Sequence, residues 1–275
     1  MKLQYLGTAA ADGWPALFCK CEPCEAARRA GGKNIRTRSQ SIIDDCLLVD
    51  MPPDTYYHAL KYNLDLSAIG HILITHSHED HFYPADMILK AEPYAHLGEA
   101  KSISVYGNKV IVDMLRQAMD GSGIEDIEDY INPVYVEPFV PFAIGPYTVT
   151  PLPAYHMPNE ECYIYCIEKD GKRLLYGHDT GVFPQPTAEY IARTFFHLVS
   201  LDCTFCLRPW EHGHLGLPNN AEIRIQMLEQ GSADQNTMFV INHFSHNGYT
   251  IHDELVPHAE KLGFITAFDG MIIEV

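Results

Sequence analysis

Three histidines and an aspartate lie within six residues of this chain, directly after a short apolar segment. The apolar segment is Ile72-Leu73-Ile74, and the polar segment that follows reads Thr75-His76-Ser77-His78-Glu79-Asp80-His81. The apolar residues predict a strand. At the end of a strand, positions i and i+2 project to the same side, so we expect His76 and His78 to converge on one point. Asp80 and His81 follow where the chain turns, and they can face a second point nearby.

Imidazole and carboxylate groups together form a ligand set for zinc, manganese or iron. The alternative interpretation is a polar loop that caps a strand, but three histidines and an aspartate in so short a segment favour metal binding. Two metal ions about 3.5–4 Å apart would clamp both the attacking and the leaving oxygen of a displacement. Other catalytic motifs are absent from the sequence: there is no H-E-x-x-H, no G-x-S-x-G and no phosphate-binding loop with G-K-[ST].

Four side chains cannot enclose two metal ions, so further ligands must come from distant parts of the chain. His156, Asp179 and His243 each follow an apolar strand-like segment. Side chains at such junctions tend to gather at one edge of a sheet. Each could also be an ordinary surface or core residue. His178 and Asp179 are adjacent, and we prefer Asp179 as the ligand because a carboxylate can bridge two cations.

Cysteines form a second candidate metal site. Cys19, Cys21 and Cys24 place three thiols within six residues, and a closed zinc site needs four ligands. The alternative is a group of three reduced surface thiols. The remaining cysteines lie mostly in apolar segments and are predicted to be core residues: Cys46, Cys162, Cys166, Cys203 and Cys206.

Charge and composition restrict the partners. The 275 residues carry a formal net charge of −17, which opposes binding of a long nucleic acid. A small anion remains compatible if metal ions supply positive charge. The sequence has neither an apolar run of about 18–20 residues nor a secretory signal, so we expect a cytoplasmic protein that does not enter a membrane. We also expect a single domain over residues 1–275, with a cysteine-rich loop at 19–24.

Short apolar strands alternate with helical patterns, which predicts a layered α/β domain with its helices outside. The predicted strands are 2–6, 41–49, 71–75, 102–106, 146–152, 162–168, 173–177, 197–201, 237–242 and 271–275. The predicted helices are 22–30, 53–61, 84–91, 108–120, 186–195, 219–230 and 252–262.

The chain resembles the metallo-β-lactamase superfamily over residues 2–275. The resemblance rests on the motif T-H-x-H-x-D-H followed, in order, by His156, Asp179 and His243. Within the superfamily, the chain is most similar to the phosphodiesterase family of the carbon–phosphorus lyase pathway, which opens phosphoribosyl 1,2-cyclic phosphate. The shared motifs are Leu6-Gly7-Thr8, C-x-C-x-x-C, Pro151-Leu152-Pro153, His243-Phe244-Ser245-His246 and Phe268-Asp269-Gly270-Met271. The resemblance implies a four-layer αββα sandwich and hydrolysis of a small, cyclic phosphodiester.

The same resemblance implies the roles of individual residues. One metal ion takes His76, His78 and His156, and the other takes Asp80, His81 and His243. Asp179 bridges the two ions, which are manganese or zinc with iron as a further option, and a hydroxide lies between them. His246 completes a structural zinc site with Cys19, Cys21 and Cys24. The implied catalytic residues are Asp80 and, as general acid, His214; whether His212 is the acid instead stays open.

Residues near these positions support three further hypotheses. The structural zinc fixes the segment that holds His243, because His243 and His246 face opposite sides of an extended chain. Aspartates can orient the ligating imidazoles, and the candidates are Asp44, Asp45, Asp50, Asp202 and Asp269. The basic residues of 28–38 are interpreted as a solvated face and not as an anion site.

Two other classes of function stay open. The first is another hydrolase of the same fold, such as a lactonase or β-lactamase, because activated water between two metal ions also attacks carbonyl groups. A transfer-RNA nuclease is disfavoured by the acidic charge and by the lack of a long basic insertion. The second is a metal-binding accessory protein without catalysis. The expected partner is a small phosphodiester, and the oligomeric state stays open, a homodimer included.

Overall fold

The computed structural model describes residues 1–98 and 102–275, and within them two seven-stranded sheets are flanked by helices. The first sheet contains β1 (Lys2–Gly7), β2 (Gln40–Ile43), β3 (Leu47–Val49), β4 (His71–Leu73), β5 (Ile103–Gly107), β6 (Ile131–Tyr135) and β14 (Ile272–Glu274). The second contains β7 (Phe142–Ile144), β8 (Tyr147–Pro153), β9 (Tyr163–Lys169), β10 (Lys172–Gly177), β11 (Leu198–Asp202), β12 (Met238–Asn242) and β13 (Ile265–Thr266). The helices are α1 (Glu22–Ala30), α2 (Thr55–Tyr62), α3 (Pro84–Met87), α4 (Lys109–Ser122), α5 (Gln185–Ala192), α6 (Leu217–Gln230) and α7 (His252–Lys261).

The first sheet is buried on both faces, in the order β14-β1-β2-β3-β4-β5-β6. Successive residues of a strand point to opposite faces. Accordingly Leu47, Val49 and Leu73 enter the core that also contains the second sheet. Leu48 and Ile72 enter a separate core with residues of α3 and α4. The first sheet therefore forms the boundary between two hydrophobic cores.

The second sheet has the order β13-β12-β11-β10-β9-β8-β7 and is hydrogen-bonded to the first through buried side chains. The Tyr5 hydroxyl lies 2.8 Å from Ser200 Oγ, which joins β1 to β11. The hydroxyl of Tyr165 in β9 donates to the carbonyl oxygen of Ile74, 2.6 Å away. These bonds satisfy polar groups inside the sandwich and hold the two sheets in one relative position.

Parallel pairing brings distant residues to one edge of the sandwich. Strands β3 to β6 are mutually parallel, and so are β10 to β13. The carboxyl ends of parallel strands meet at a common edge, where ligand sites of open α/β sheets lie. The residues that follow β3, β4, β10 and β12 include, in that order, Asp50, His76, Asp179 and His243.

The prediction of one strand over 41–49 is wrong. Asp44 and Asp45 adopt left-handed backbone conformations, which aspartate tolerates in turns, and the chain reverses between β2 and β3. This turn exposes Cys46, so its predicted core position is also wrong; Cys162, Cys166, Cys203 and Cys206 are buried.

The sequence did not predict β6, β7 or β13. Part of the predicted helix 84–91 is a short α-helix followed by a 3-10 turn.

No helix in residues 1–98 and 102–275 has both the length and the apolar composition required to cross a membrane.

Candidate metal centre

Three histidines from two loops form the first part of the site, which we call the three-histidine half. His76 and His78 follow β4, and His156 follows β8. Nε2 of His76 lies 2.9 Å from Nδ1 of His78. Nε2 of His156 lies 3.1 Å from the same Nδ1 atom. One ring nitrogen of each of the three residues therefore faces a common point.

Asp80, His81 and His243 form the second part, which we call the carboxylate half. Nε2 of His81 lies 3.2 Å from Asp80 Oδ2 and 3.3 Å from His243 Nε2. All three side chains are buried. Their ligand atoms cluster with a carboxylate oxygen of Asp179.

Asp179 lies between the two halves. Its Oδ2 atom is 2.5 Å from His81 Nε2, 3.1 Å from His243 Nε2 and 3.6 Å from His76 Nε2. The residue is 2 % exposed. One carboxylate thus contacts imidazoles of both halves, which is the geometry of a bridging ligand.

The ligand atoms fit a pair of divalent metal ions. Donors around a tetrahedral zinc, at about 2.1 Å from the metal, are separated by about 3.4 Å, close to the separations between these nitrogens. Asp179 Oδ1 is buried and accepts no hydrogen bond of good geometry. Burial, followed by neighbouring imidazoles, lowers the pKa of His76 well below its usual value, which leaves a neutral ring with a lone pair to donate. Ring nitrogens that face one another around a buried carboxylate form a suitable ligand set for a cation.

The aspartate and threonine behind His81 fix the orientation of its ring. Asp50 Oδ2 accepts a hydrogen bond of 2.7 Å from His81 Nδ1. Thr75 donates to Asp50 Oδ1 from both its backbone nitrogen and its hydroxyl, each at 2.9 Å. A carboxylate in this position holds the ring so that Nε2 faces the metal, and it makes the imidazole a stronger ligand.

A second aspartate and threonine stand behind His243. Asp202 Oδ2 lies 3.4 Å from His243 Nδ1. Thr204 donates to Asp202 through its backbone nitrogen and hydroxyl, at 3.0 and 2.9 Å, and Thr204 Oγ1 is 2.9 Å from His243 Nδ1. Of the five aspartates predicted to orient ligands, Asp50 and Asp202 do so.

The other three predicted orienting aspartates lie away from the ligands. Asp44 accepts from Lys169 and Asp45 pairs with Lys2. Asp269 accepts from Thr8 and Thr37. Those predictions are wrong because each carboxylate is engaged by a lysine or by threonines from another segment of the chain, away from the ligands. Thr204 was missed by the sequence analysis, although the order Asp202-Cys203-Thr204 after an apolar strand was a usable signal.

The three-histidine half has neutral groups behind its rings. Thr75 Oγ1 is 3.0 Å from His76 Nδ1. His156 Nδ1 donates to the carbonyl oxygen of Gly213 at 2.8 Å. Neither ring has a carboxylate on its far nitrogen, in contrast to His81 and His243.

Three residues of the site adopt left-handed backbone conformations that non-glycine residues rarely occupy. The φ angles are 65° at Asp50, 53° at Asp179 and 62° at His243. Asp50 and His243 directly follow the end of a strand, and Asp179 lies two positions after one. Strained conformations of this kind cost roughly 1–3 kcal/mol each and cluster at functional sites.

His214 lies against the carboxylates, whereas His212 does not. His214 Nδ1 is 3.1 Å from both Asp179 Oδ1 and Asp202 Oδ2; His212 Nδ1 is 3.3 Å from the Tyr155 hydroxyl. Burial opposes the charged form of His214, but Asp202 and Asp179 outweigh it and raise its pKa to about 9. A protonated imidazole at this position can donate a proton.

A close backbone approach holds the loop of His214 over Asp179. A Cβ atom at Gly181 would lie 2.1 Å from the carbonyl oxygen of Glu211, so no larger residue fits there. Val182 donates its backbone N–H to the same carbonyl at 3.2 Å. The glycine therefore allows residues 211–214 to pack on the segment that carries Asp179.

His178 is not among the gathered ligand atoms. Its Nε2 atom lies 2.7 Å from Ser200 Oγ, inside the sandwich. Burial lowers the pKa of His178 to about 3, so its ring is neutral. The structure thus brings Asp179, and not His178, to the other predicted ligands.

The cysteine cluster forms a separate group with His246. His246 Nδ1 lies 3.3 Å from Cys21 Sγ and 3.5 Å from Cys19 Sγ, and Cys24 Sγ belongs to the same group. Burial raises the pKa of the Cys24 thiol to about 12. Three sulfurs and one nitrogen match a closed Cys₃His zinc site, in which the cation would stabilise the thiolates.

Comparisons with known proteins bear on the family and the fold of this chain. Residues 40–243 match the family model described as Anti-Pycsar protein Apyc1. No curated protein matches the chain in sequence. Among solved structures, Zn²⁺-bound PqqB from Methylobacterium extorquens is 18% identical with a TM-score of 0.76, and 100% of each chain is covered.

Two further structures extend the comparison. A diphosphatase from the PhnP family is 21% identical with a TM-score of 0.74, covering 100% of this chain and 97% of the other. Human tRNase Z, short form, is 19% identical with a TM-score of 0.65, covering 100% and 99%. The expected metallo-β-lactamase fold, with two sheets between layers of helices, is therefore confirmed.

Proposed function

Because this chain belongs to the Anti-Pycsar protein Apyc1 family, we propose that it is a metal-dependent hydrolase that cleaves a small, cyclic phosphodiester. The observation that carries the proposal is the position of Asp179. A single buried carboxylate contacts His76 of the three-histidine half and both His81 and His243 of the carboxylate half. Such an arrangement suits two cations that act on one substrate group.

The proposed ligands are those that the sequence motif predicts. His76, His78 and His156 would hold one ion and Asp80, His81 and His243 would hold the other, with Asp179 between the two groups. When bound, divalent ions at these positions lower the pKa of water towards neutrality and neutralise the charge of a phosphate. Manganese, zinc and iron all suit imidazole and carboxylate ligands. Zinc is proposed for the site of Cys19, Cys21, Cys24 and His246.

The protein's own contribution is orientation and proton supply. Asp50 and Asp202 hold the rings of His81 and His243, so those ligands need no rearrangement during the reaction. We assign His214 the role of general acid, because its Nδ1 atom lies 3.1 Å from both Asp202 Oδ2 and Asp179 Oδ1, and these carboxylates raise its pKa to about 9 in the metal-free protein. A group that stays protonated at neutral pH can donate its proton to the departing sugar oxygen. Asp80 acts through its carboxylate as a ligand.

The expected partner is a small substrate. The net charge of −17 opposes a long polyphosphate, although human tRNase Z shares the fold. A compact diester needs positive charge only at the reacting phosphate, where the metal ions would provide it.

The test is a substrate panel on protein loaded with Mn²⁺ or Zn²⁺. The panel contains bis(p-nitrophenyl) phosphate, a 2′,3′-cyclic nucleotide, a lactone and nitrocefin. We expect turnover of the phosphodiesters, and the variant His214→Ala should lower kcat by roughly 10²–10⁴-fold with unchanged metal content. His212→Ala is the matched control and should keep wild-type turnover.

Other outcomes of the panel have definite meanings. Turnover of the lactone or nitrocefin alone would assign a carbonyl hydrolase and contradict the proposal. Bound metal without turnover of any ester would favour a non-catalytic accessory protein. Loss of metal in His214→Ala would make that residue a ligand and not an acid.

A further inference from the structure

A chain of polar side chains leads from Asp269 to the back of the metal centre, although Asp269 itself contacts Thr8 and Thr37 and not a predicted ligand. Thr37 Oγ1 lies 2.7 Å from Asp269 Oδ2 and 2.7 Å from His58 Nε2. His58 Nδ1 lies 2.6 Å from Gln40 Oε1. His58 and Gln40 are fully buried, so their polar atoms depend on these protein partners.

The far end of the chain holds Asp50. Gln40 Nε2 donates to the carbonyl oxygen of Asp50 at 2.9 Å, and the carboxylate of Asp50 accepts from His81 Nδ1. Asp50 has a φ angle of 65°, a conformation that persists only where surrounding contacts hold it. The bond from Gln40 is such a contact, and it fixes the backbone that carries the carboxylate behind His81.

A count of donors sets the direction of the bonds around Gln40. The carbonyl oxygen of Asp50 can only accept. The second partner of the Gln40 amide, Thr55 Oγ1 at 3.0 Å, gives its own hydrogen to the carbonyl oxygen of Pro52. The amide nitrogen of Gln40 therefore faces these two oxygens, and its oxygen faces His58. It follows that Nδ1 of His58 donates to Gln40.

A neutral His58 then constrains Asp269. Burial lowers the pKa of His58 to about 3, so the ring carries one hydrogen, on Nδ1, and Nε2 accepts from the Thr37 hydroxyl. Thr37 has a single hydroxyl hydrogen, so its short contact with Asp269 Oδ2 requires a hydrogen on the carboxyl group. Burial raises the pKa of Asp269, although hydrogen bonds from Thr8 and Thr37 and the charge of Arg36 act against it.

Arg36 reaches Asp269 through a hydroxyl group. The sequence analysis placed Arg36 in a solvated face, and that prediction is wrong at this residue, which is only 3 % exposed. Its Nη1 atom donates to Thr8 Oγ1 and to the carbonyl oxygen of Ala267, and its Nη2 atom donates to His252 Nδ1 at 2.8 Å. Thr8 in turn donates to Asp269 Oδ1 at 2.6 Å. A carboxyl group without a cation in direct contact can stay protonated when it is buried.

We propose that Asp269 is a positioning residue of the metal centre and acts as a neutral carboxyl group, the first donor of a one-way chain through Thr37, His58 and Gln40 to Asp50. The inference rests on the proposed function, since the chain holds the carboxylate behind a metal ligand. Every bond in it donates towards Asp50, and bonds that point the same way polarise one another.

The first test is the tautomer of His58, read by heteronuclear NMR of the metal-free protein with isotope-labelled histidine at neutral pH. His58→Gln identifies the signal by its loss. We expect a neutral ring with its hydrogen on Nδ1. A hydrogen on Nε2 alone, or on both nitrogens, would overturn the inference, because Thr37 would then donate to an ionised Asp269.

Substitution of Asp269 separates a neutral carboxyl group from a carboxylate. Asparagine resembles the neutral form, because its amide nitrogen can donate to Thr37 while its oxygen accepts from Thr8. In the His78→Ala background, which leaves the carboxylate half intact, Asp269→Asn should keep the zinc affinity and Asp269→Ala should weaken it about tenfold. In the His243→Ala background, neither should change the affinity of the three-histidine half. An asparagine as damaging as alanine, or equal losses in both halves, would reject the proposal.

A metal-free measurement distinguishes this inference from the proposed function. The Nδ1 hydrogen of His81 is donated to Asp50, so its NMR signal reports the position of that carboxylate. We expect the signal to shift in Asp269→Ala and to stay in Asp269→Asn and in the matched control Asp44→Ala; an unshifted signal in Asp269→Ala would overturn the positioning role. If the signals behave as expected while no diester is cleaved, the proposed function fails alone. Melting temperatures confirm that each variant is folded.

Discussion

The two halves of the metal centre differ in what stands behind their ligands. In the carboxylate half, His81 and His243 have Asp50 and Asp202 at their far nitrogens. In the three-histidine half, the rings of His76 and His156 have a hydroxyl and a backbone carbonyl. Buried negative charge is therefore concentrated on one side of Asp179.

This difference sets opposite protonation states in the metal-free protein. Burial lowers the pKa values of His76 and His156, so both rings are neutral. Burial acts in the same direction on His81 and His243, but the surrounding aspartates outweigh it and raise both pKa values well above the usual range. One half is ready to bind a cation, and the other holds protons that a cation must displace.

The largest expected effect comes from removing one ligand from each half. His78→Ala and His81→Ala should each lower kcat/KM by on the order of 10³-fold, because the proposed reaction uses two ions. Their stabilities should differ. His81→Ala leaves buried Asp50 and Asp80 without their imidazole and should cost about 3–5 kcal/mol in the metal-free protein, whereas His78→Ala strands no carboxylate. Urea unfolding of the two apo-proteins measures the contrast, and equal stabilities would contradict it.

The second prediction concerns pH. A metal ion that enters the carboxylate half displaces up to two protons, so its affinity should rise up to about a hundredfold per pH unit until the raised pKa values are passed. Affinity in the three-histidine half should change little near neutrality, because His76 and His156 are already neutral. Zn²⁺ titrations of His78→Ala and His243→Ala, in buffers of different ionisation enthalpy, count the protons released by the half left intact. Equal proton release by the two variants would remove the distinction.

The smallest expected effect tests whether the cysteine cluster supports the carboxylate half. Phe244, next to His243, exchanges backbone hydrogen bonds of 2.9 Å with the segment of Thr8 and Ala10, and His246 contacts the cysteines. Cys21→Ser should lose one zinc and lower turnover by about tenfold through displacement of His243. The exposed thiol variant Cys46→Ser is the control. Loss of one zinc with turnover and pH profile intact would show that the two sites are independent.

Local patterns in the sequence predicted the elements that lie close together along the chain. The alternation of a strand places His76 and His78 on one side, and the spacing of Cys19, Cys21 and Cys24 places three thiols in one loop. Together with the resemblance, they indicated the fold and the ligand set, and the structure gathers those ligands as two groups around Asp179. The convergence of His76 with His78 and the grouping of the three thiols both depend on residues a few positions apart, whose arrangement follows from the local backbone.

Tertiary structure decided which distant groups meet. Asp50 and Asp44 are both aspartates near strand ends, yet only Asp50 contacts a ligand, since β3 pairs in parallel with β4 and places it beside His81. Arg28 and Arg38 belong to the same basic segment, yet Arg28 is exposed and pairs with Glu25, whereas Arg38 lines a cavity next to His78 and Asp80. Residue type and spacing carry no information about which strands are neighbours. The contacts between distant residues are determined instead by sheet order, by close glycine contacts and by left-handed residues at strand ends. The sequence by itself therefore determined the donor atoms, and the packing of the two sheets determined their charge environment.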